Sequence, residues 1–264
     1  MTRFFREILS QVSQYKYFLL NFVRFELKVR YKHTFLGGVW VVVSPLLYFL
    51  ILGFVFSFVI RGGLENYKLF FISGMVPWMM LNNTIMTQVS SLENNGELMK
   101  RIAVPKLIFP LSSNIARQVD NLIFVVILII LYLLSGAGAH WYHLWLIPIW
   151  LLFFMTTLGI GMILAIVNVF IRDTAVLSAI VFQILFFMSP IIYSLDLIPK
   201  KFIPIFVLNP FYYFIEVFHY LFYYQLEPRM AHLLAMSLVA VASMGLALFL
   251  YRFTEKKIVY YLSY

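Results

Sequence analysis

Cysteine is absent from the 264 residues. That excludes disulfides, thiolate nucleophiles and cysteine-based metal sites, without fixing the compartment. Charge is scarce too. Asp, Glu, Lys and Arg make up 12% of the chain, and only 11 residues are acidic. The dipeptide GK never occurs, so there is no GxxxxGK[ST] phosphate loop and ATP is not bound by that route. HExxH and GxSxG are missing as well, which removes the commonest zinc-hydrolase and serine-hydrolase signatures. Gly159 and Gly161 begin a dinucleotide fingerprint whose third glycine is absent. They lie inside a long apolar run, where close helix packing accounts for them.

What fills the chain instead is hydrophobic: 63% of residues, with 19% aromatic. A soluble domain is about half apolar and about a quarter charged. The composition is that of an integral membrane protein. Six stretches approach the roughly 20 apolar residues that a spanning helix needs: 37–60, 67–90, 121–139, 144–171, 174–195 and 231–251. None carries Asp, Glu or Lys in its middle, so the intramembrane acids of a proton relay or an intramembrane hydrolase are missing. A cleavable signal peptide is not expected either, because the first three dozen residues keep mixing charges with aromatics.

The net charge of +9 follows topology rather than one basic domain, which argues against nucleic-acid binding. With the N-terminus inside, the inner segments hold seven, four, one and three Lys or Arg residues, and the outer segments two, none and three. Both termini are therefore expected in the cytoplasm. HWYHLW at 140–145 marks the outer boundary with interfacial aromatics. Its two histidines have no visible third ligand, so no metal site is expected.

Residues 1–36 read as a cytoplasmic interface segment preceding one transmembrane domain over 37–264. Within the segment, Phe18, Phe22, Phe25 and Val29 recur at helical spacing, and Glu26 and Arg30 are four apart. This predicts an amphipathic helix in the inner leaflet. Arg24, Lys28, Arg30 and Lys32 snorkel to lipid head groups, and Gly37 and Gly38 permit the turn into the first span. The outer segment 196–230 is punctuated by Pro199, Pro204 and Pro210 and is densely aromatic. Apolar pieces too short to span read as re-entrant helices. Glu216 within them is expected to be solvated or interfacial. On the second span, Ser73, Met80, Asn83, Thr87 and Ser91 share one stripe that must face protein or water. Tyr48, Gln183 and Tyr193 join it as candidates for packing between helices or for lining a pore.

Several segments carry a family resemblance: ELKVRYKHTFLGGVWVVVSPLL, FISGMVPWMMLNN, NVFIRD, FMSPIIYSLDLIP and LNPFYYFIEVFHYLFY. In this order and spacing, the chain resembles the membrane subunit of type-2 ABC exporters that move polysaccharides, the O-antigen, capsule and teichoic acid permeases. The resemblance implies an all-α membrane fold with six transmembrane helices, an N-terminal amphipathic helix and re-entrant outer gate helices between helices five and six. It implies a homodimer with two ATP-binding subunits that hold the ATP and Mg²⁺, this chain binding no cofactor. It also implies a lipid-linked polysaccharide substrate in the bacterial inner membrane. Short coupling segments in cytoplasmic loops then meet the ATPase. Over the loop 91–117 these are Glu93, Glu97, Lys100 and Arg101, with Leu98 and Ile102 as an apolar edge. In the second loop they are Arg172 and Asp173, which otherwise read as a positive-inside charge and a helix N-cap. Phe211, Tyr212 and Tyr213 belong to the outer gate. A permease for small molecules or lipids, and a membrane-embedded glycan-modifying enzyme, are the alternatives.

Overall fold

The computed structural model describes residues 2–32, 34–59 and 66–261. Ile60, which closes the expected first span, and Arg61 lie outside them. The fold is all-helical, with no strand among the described residues. Two N-terminal helices, α1 (Thr2–Gln14) and α2 (Lys16–Tyr31), precede α3 (Trp40–Val59), α4 (Tyr67–Val89), the short α5 (Gly96–Arg101), α6 (Ile108–Leu134) and α7 (Leu146–Phe170). There follow α8 (Thr174–Phe187), α9 (Ile203–Val207), α10 (Tyr212–Phe218) continued by a π-turn at His219–Tyr223, and α11 (Met230–Tyr261). Five helices among the described residues are long and apolar enough to cross a membrane, six if a bent pair is taken as one span.

The helix that looks weakest in sequence sits at the centre. α4 packs against α3, α6, α7, α8 and α10. Ser73, Thr84 and Gln88, which weaken its apolar signal, are all fully buried. Polar groups in a spanning helix need partners on neighbouring helices. Gln88 donates to the Thr157 carbonyl at 3.1 Å, and Asn121 to Thr84 Oγ1 at 3.1 Å. Two glycines let the central helices close in. A Cβ on Gly159 would lie 2.7 Å from the Ser243–Met244 backbone of α11, and one on Gly161 would lie 2.5 Å from Gln88 of α4. By contrast α3 exposes Leu47, Leu50, Ile51 and Phe54, an apolar surface suited to lipid or another chain.

Two expected boundaries move. The third span is expected over 121–139 after a loop 91–117, but α6 begins at Ile108 and ends at Leu134. Ser112, Ser113, Asn114 and Asp120 precede the expected span and look like loop, yet they are buried helix facing other helices. The fifth span is expected over 174–195, but α8 stops at Phe187. Its 14 residues rise about 21 Å, short of the roughly 30 Å hydrocarbon layer. The stop has a cause. The Asn209 amide donates to the carbonyls of Leu185 and Met188, both at 3.2 Å, and to Ser189 Oγ at 2.8 Å. It satisfies carbonyls that a helix end leaves open. Asn209 Oδ1 also accepts the Phe211 amide at 2.9 Å, so one side chain ends α8 and starts α10. The segment Lys200–Val207 turns by 100° into Tyr212–Tyr223, the bend expected of a re-entrant hairpin.

The amphipathic stripe of α2 also divides. Phe22 is buried, stacked on Phe18 at 5.7 Å and edge-on to Phe109 at 5.3 Å. Phe25 and Val29 are exposed, at the rim of a cavity between α2, α4 and α6. The face turned to α6 is Leu19, Phe22 and Val23. Gly37, at φ 54°, makes the left-handed turn that leads into α3.

Candidate functional site

Both chain ends meet at one end of the bundle. Ile8 of α1, Met99 of α5, Ile166 of α7 and Ile258 of α11 share one buried cluster there. The two expected coupling segments also lie here, side by side. In α5, Gly96 and Met99 are buried and Leu98 and Ile102 half-buried, whereas Glu97, Lys100 and Arg101 are exposed. Lys100 Nζ meets Glu97 Oε1 at 2.8 Å. That hydrogen bond and the lysine charge hold the Glu97 carboxyl below the ordinary range. An exposed pair of this kind adds little stability, so α5 is anchored by its apolar side and presents its charges outward.

Glu93, Glu97 and Arg172 line one small cavity of about 130 Å³, together with Asn168 and Tyr261. Asn168 is buried at the last turn of α7. Its Nδ2 donates to Glu93 Oε2 at 2.9 Å, and its Oδ1 accepts the Ala175 amide of α8 at 3.1 Å. Asp173 stands at the N-cap position of α8 but makes no side-chain cap bond. The cap expected of Asp173 comes from Asn168 in the preceding helix. Arg172 and Asp173 are both exposed.

Of the four interface cations, Arg24, Lys28 and Lys32 are exposed, and Arg30 turns inward. Arg30 Nη1 meets Asp120 Oδ2 of α6 at 2.5 Å, and Arg117 Nη1 meets the same oxygen at 2.9 Å. Arg117 Nε also donates to Thr87 Oγ1 on α4 at 2.8 Å, and Thr87 Oγ1 donates to the Asn83 carbonyl at 2.7 Å. Glu26 accepts from Ser113 Oγ of α6 at 2.6 Å. Burial pushes the Glu26 carboxyl up, against the pull of the Ser113 hydrogen bond and of the Arg30 and Arg117 charges. Cavities of about 260 and 320 Å³ flank Arg30. Asn83, Trp40 and Ser44 line the first, and Thr87, Glu26 and Asn95 the second.

The expected stripe on α4 therefore does not form one surface. Asn83 and Thr87 border the two cavities beside Arg30, while Ser73 and Met80 are fully buried. His219 Nε2–H donates to the Pro190 carbonyl at 2.7 Å. Its Nδ1 is then the acceptor facing the Ser73 hydroxyl at 2.9 Å. The imidazole stacks on Phe70 with centroids 4.3 Å apart. Ser73 thus holds the hairpin of α9 and α10 to α4. Tyr48 on α3 and Gln183 on α8 are exposed. Tyr193 is half-buried and its hydroxyl donates to the Phe187 carbonyl. Phe211 and Tyr212 are buried, and the half-buried Tyr213 donates to the Val207 carbonyl at 3.1 Å. Glu216, expected in solvent or at the interface, is buried. Sequence reasoning missed Asn168, the Arg117–Asp120 pair and His219; it marked Asn209–Pro210 as the start of the second outer piece but not the hold of Asn209 on α8. The i, i+3 spacing of Arg117 and Asp120 was the available signal for one of them.

Residues 18–223, from α2 through the π-turn, match the model of the ABC-2 type transporter family. The chain belongs to that family. It is similar to the O-antigen export system permease protein RfbA of Klebsiella pneumoniae, at 30% identity over 186 residues that cover 70% of this chain and 72% of the relative. Its similarity to the protein of the same name from Myxococcus xanthus is 26% over 237 residues, covering 89% and 91%. To the polysialic acid transport protein KpsM of Escherichia coli it is 25% over 199 residues, covering 73% and 76%. The ABC-2 match takes in both loops joined by Asn168, the Arg30–Asp120 contact and the outer hairpin. Members of the family are transport components.

Proposed function

We propose that this chain is the transmembrane subunit of an ATP-driven exporter that moves a lipid-linked, O-antigen-like polysaccharide across the bacterial inner membrane. The observation that carries this reading is the ABC-2 match across residues 18–223, joined to relatives named for O-antigen export and polysialic acid transport. Hydrolysis belongs to a separate ATP-binding subunit, which holds ATP and Mg²⁺. Two copies of the chain pair, and two ATPase subunits dock at the end where the chain termini meet. The positive-inside distribution supports placing that end in the cytoplasm.

In this reading Glu97, Lys100 and Arg101 form the polar docking face, with Leu98 and Ile102 on the apolar edge. Glu93, Arg172 and Asp173 join it from beside the small cavity. Arg24, Lys28 and Lys32 attract anionic head groups, at about 1 kcal/mol per basic residue. Arg30 belongs with Asp120 instead. Tyr48 and Gln183, exposed on α3 and α8, line the path with Asn83 and Thr87. Tyr193, Phe211, Tyr212 and Tyr213 shape the outer gate, and Ser73 fastens it.

The test is to tag the chain, solubilise native membranes in mild detergent, and identify the co-purifying proteins by mass spectrometry. A stoichiometric ATP-binding subunit is expected, and it should be lost when Glu97, Lys100 and Arg101 are replaced together. A chain that purifies alone and remains active in a transport or modification assay would sink the proposal.

A further inference from the structure

Asn168 has one face on each cytoplasmic loop, and resting on the exporter reading we infer that it is the positioning residue that makes the two loops move as one body. A continuous hydrogen-bonded path supports this. The Gly96 amide, at the start of α5, donates to the Glu93 carbonyl at 3.0 Å. The Glu93 carboxylate accepts from Asn168, and Asn168 accepts the Ala175 amide of α8. The docking helix α5 is thereby tied to the start of α8 through one side chain at the end of α7. Phe170 meets Tyr261 edge-on at 4.8 Å, which brings the end of α11 to the same corner.

The chemistry needs an amide. One short side chain must donate to a carboxylate and accept from a backbone N–H at once, which Asp and Leu cannot do. The link is buried at Asn168, 1% exposed, where an unmet polar group is costly. It is also charge-assisted, which makes it stronger than a neutral bond. A push on α5 therefore reaches α7 and α8 instead of being absorbed in the loop.

The test uses the whole exporter, co-purified with its ATPase, and scores three readouts: ATPase recovered, ATP hydrolysed, and polysaccharide displayed by the producing cells. Asn168→Asp keeps the acceptor for Ala175 but sets a second carboxylate against Glu93. Glu93→Gln keeps an acceptor for Asn168. In the double variant the amide introduced by Glu93→Gln donates to the carboxylate introduced by Asn168→Asp, restoring the link in reverse. We expect Glu93→Gln, which keeps an acceptor but loses the charge assistance, to lose less export than Asn168→Asp. Asn168→Asp should retain the ATPase and its hydrolysis while export falls about five- to thirtyfold, the factor set by a coupling of about 1–2 kcal/mol. The double variant should regain most of the loss. Glu93→Ala cuts the link and leaves the α8 cap intact, so it should lose export to a similar degree. It carries the test if Asn168→Asp fails to insert. Full export by Asn168→Asp or Glu93→Ala, or no recovery in the double variant, overturns the inference. An unmodified chain that brings down no ATP-binding subunit overturns the exporter reading itself.

Discussion

Arg30 of α2 and Asp120 of α6 meet at 2.5 Å, and the Asp120 side chain is only 4% exposed. The interface helix is therefore held to the bundle by an ion pair as well as by Phe22. Because Arg117 bonds to the same carboxylate, Asp120→Ala leaves two cations without it. Breaking a buried pair from one side costs about 3–5 kcal/mol. Arg30 and Arg117 retain 16% and 22% exposure, so we expect about 2–3 kcal/mol. Heating the solubilised protein and following monodisperse material by size exclusion measures it. An unchanged midpoint would remove the anchoring role.

Glu26 gives the chain a pH dependence of definite sign. Its folded carboxyl titrates above the ordinary value of 4.5, with burial as the main cause. Such a group takes up a proton on folding, so stability falls as pH rises through the window just above the ordinary range. Glu26→Gln keeps an acceptor for Ser113 and removes the buried charge. The variant should melt higher than the unmodified protein near about pH 7, with the difference closing as pH falls toward about 4. A difference that grows on acidification would contradict this.

Asn209 should be more sensitive to Asp than to Ala. Asn209→Ala deletes the donor to Leu185, Met188 and Ser189; Leu185 keeps the Ser189 hydroxyl at 2.7 Å, so the cost should be about 1–2 kcal/mol, mainly from the Met188 carbonyl. Asn209→Asp turns a carboxylate toward those carbonyls and should be worse. Hydrogen exchange over 185–192 reports the end of α8 directly and should rise in both variants.

The two glycines of α7 predict a ranking. A Cβ at Gly161 presses on the Gln88 side chain, which can shift, whereas one at Gly159 presses on the Ser243–Met244 backbone, which cannot. Overpacking costs about 1–3 kcal/mol. Gly159→Ala should sit at the upper end and Gly161→Ala lower, by the same melting measurement. Equal or reversed costs would mean that α11 yields more easily than Gln88.

Apolar runs located the long helices from sequence, because lipid imposes length and hydropathy on them. The two displaced boundaries share a cause. Hydropathy records how a segment suits lipid and says nothing of partners supplied from far along the chain. Residues 108–120 look like loop until Ser113 meets Glu26 and Asp120 meets Arg30. Residues 188–195 look like helix until Asn209 takes up the carbonyls of Leu185 and Met188. The candidate site divides similarly. The family resemblance, together with the charge of the two loops, marks Glu93, Glu97 and Arg172. Asn168 lay unnoticed within NVFIRD, because an uncharged side chain gains meaning only when both its partners are placed.

α11 runs without a break from Met230 to Tyr261. At 1.5 Å per residue it is about 48 Å long, against roughly 30 Å of hydrocarbon. Its surplus carries Arg252, Lys256 and Lys257 beyond the expected span, and its other end starts beside the outer hairpin, where α10 packs on it. The helix is unbroken and packs along α7. A single run of backbone hydrogen bonds thus joins the corner where Phe170 meets Tyr261 to the hairpin that carries α10, and it fixes the distance between them.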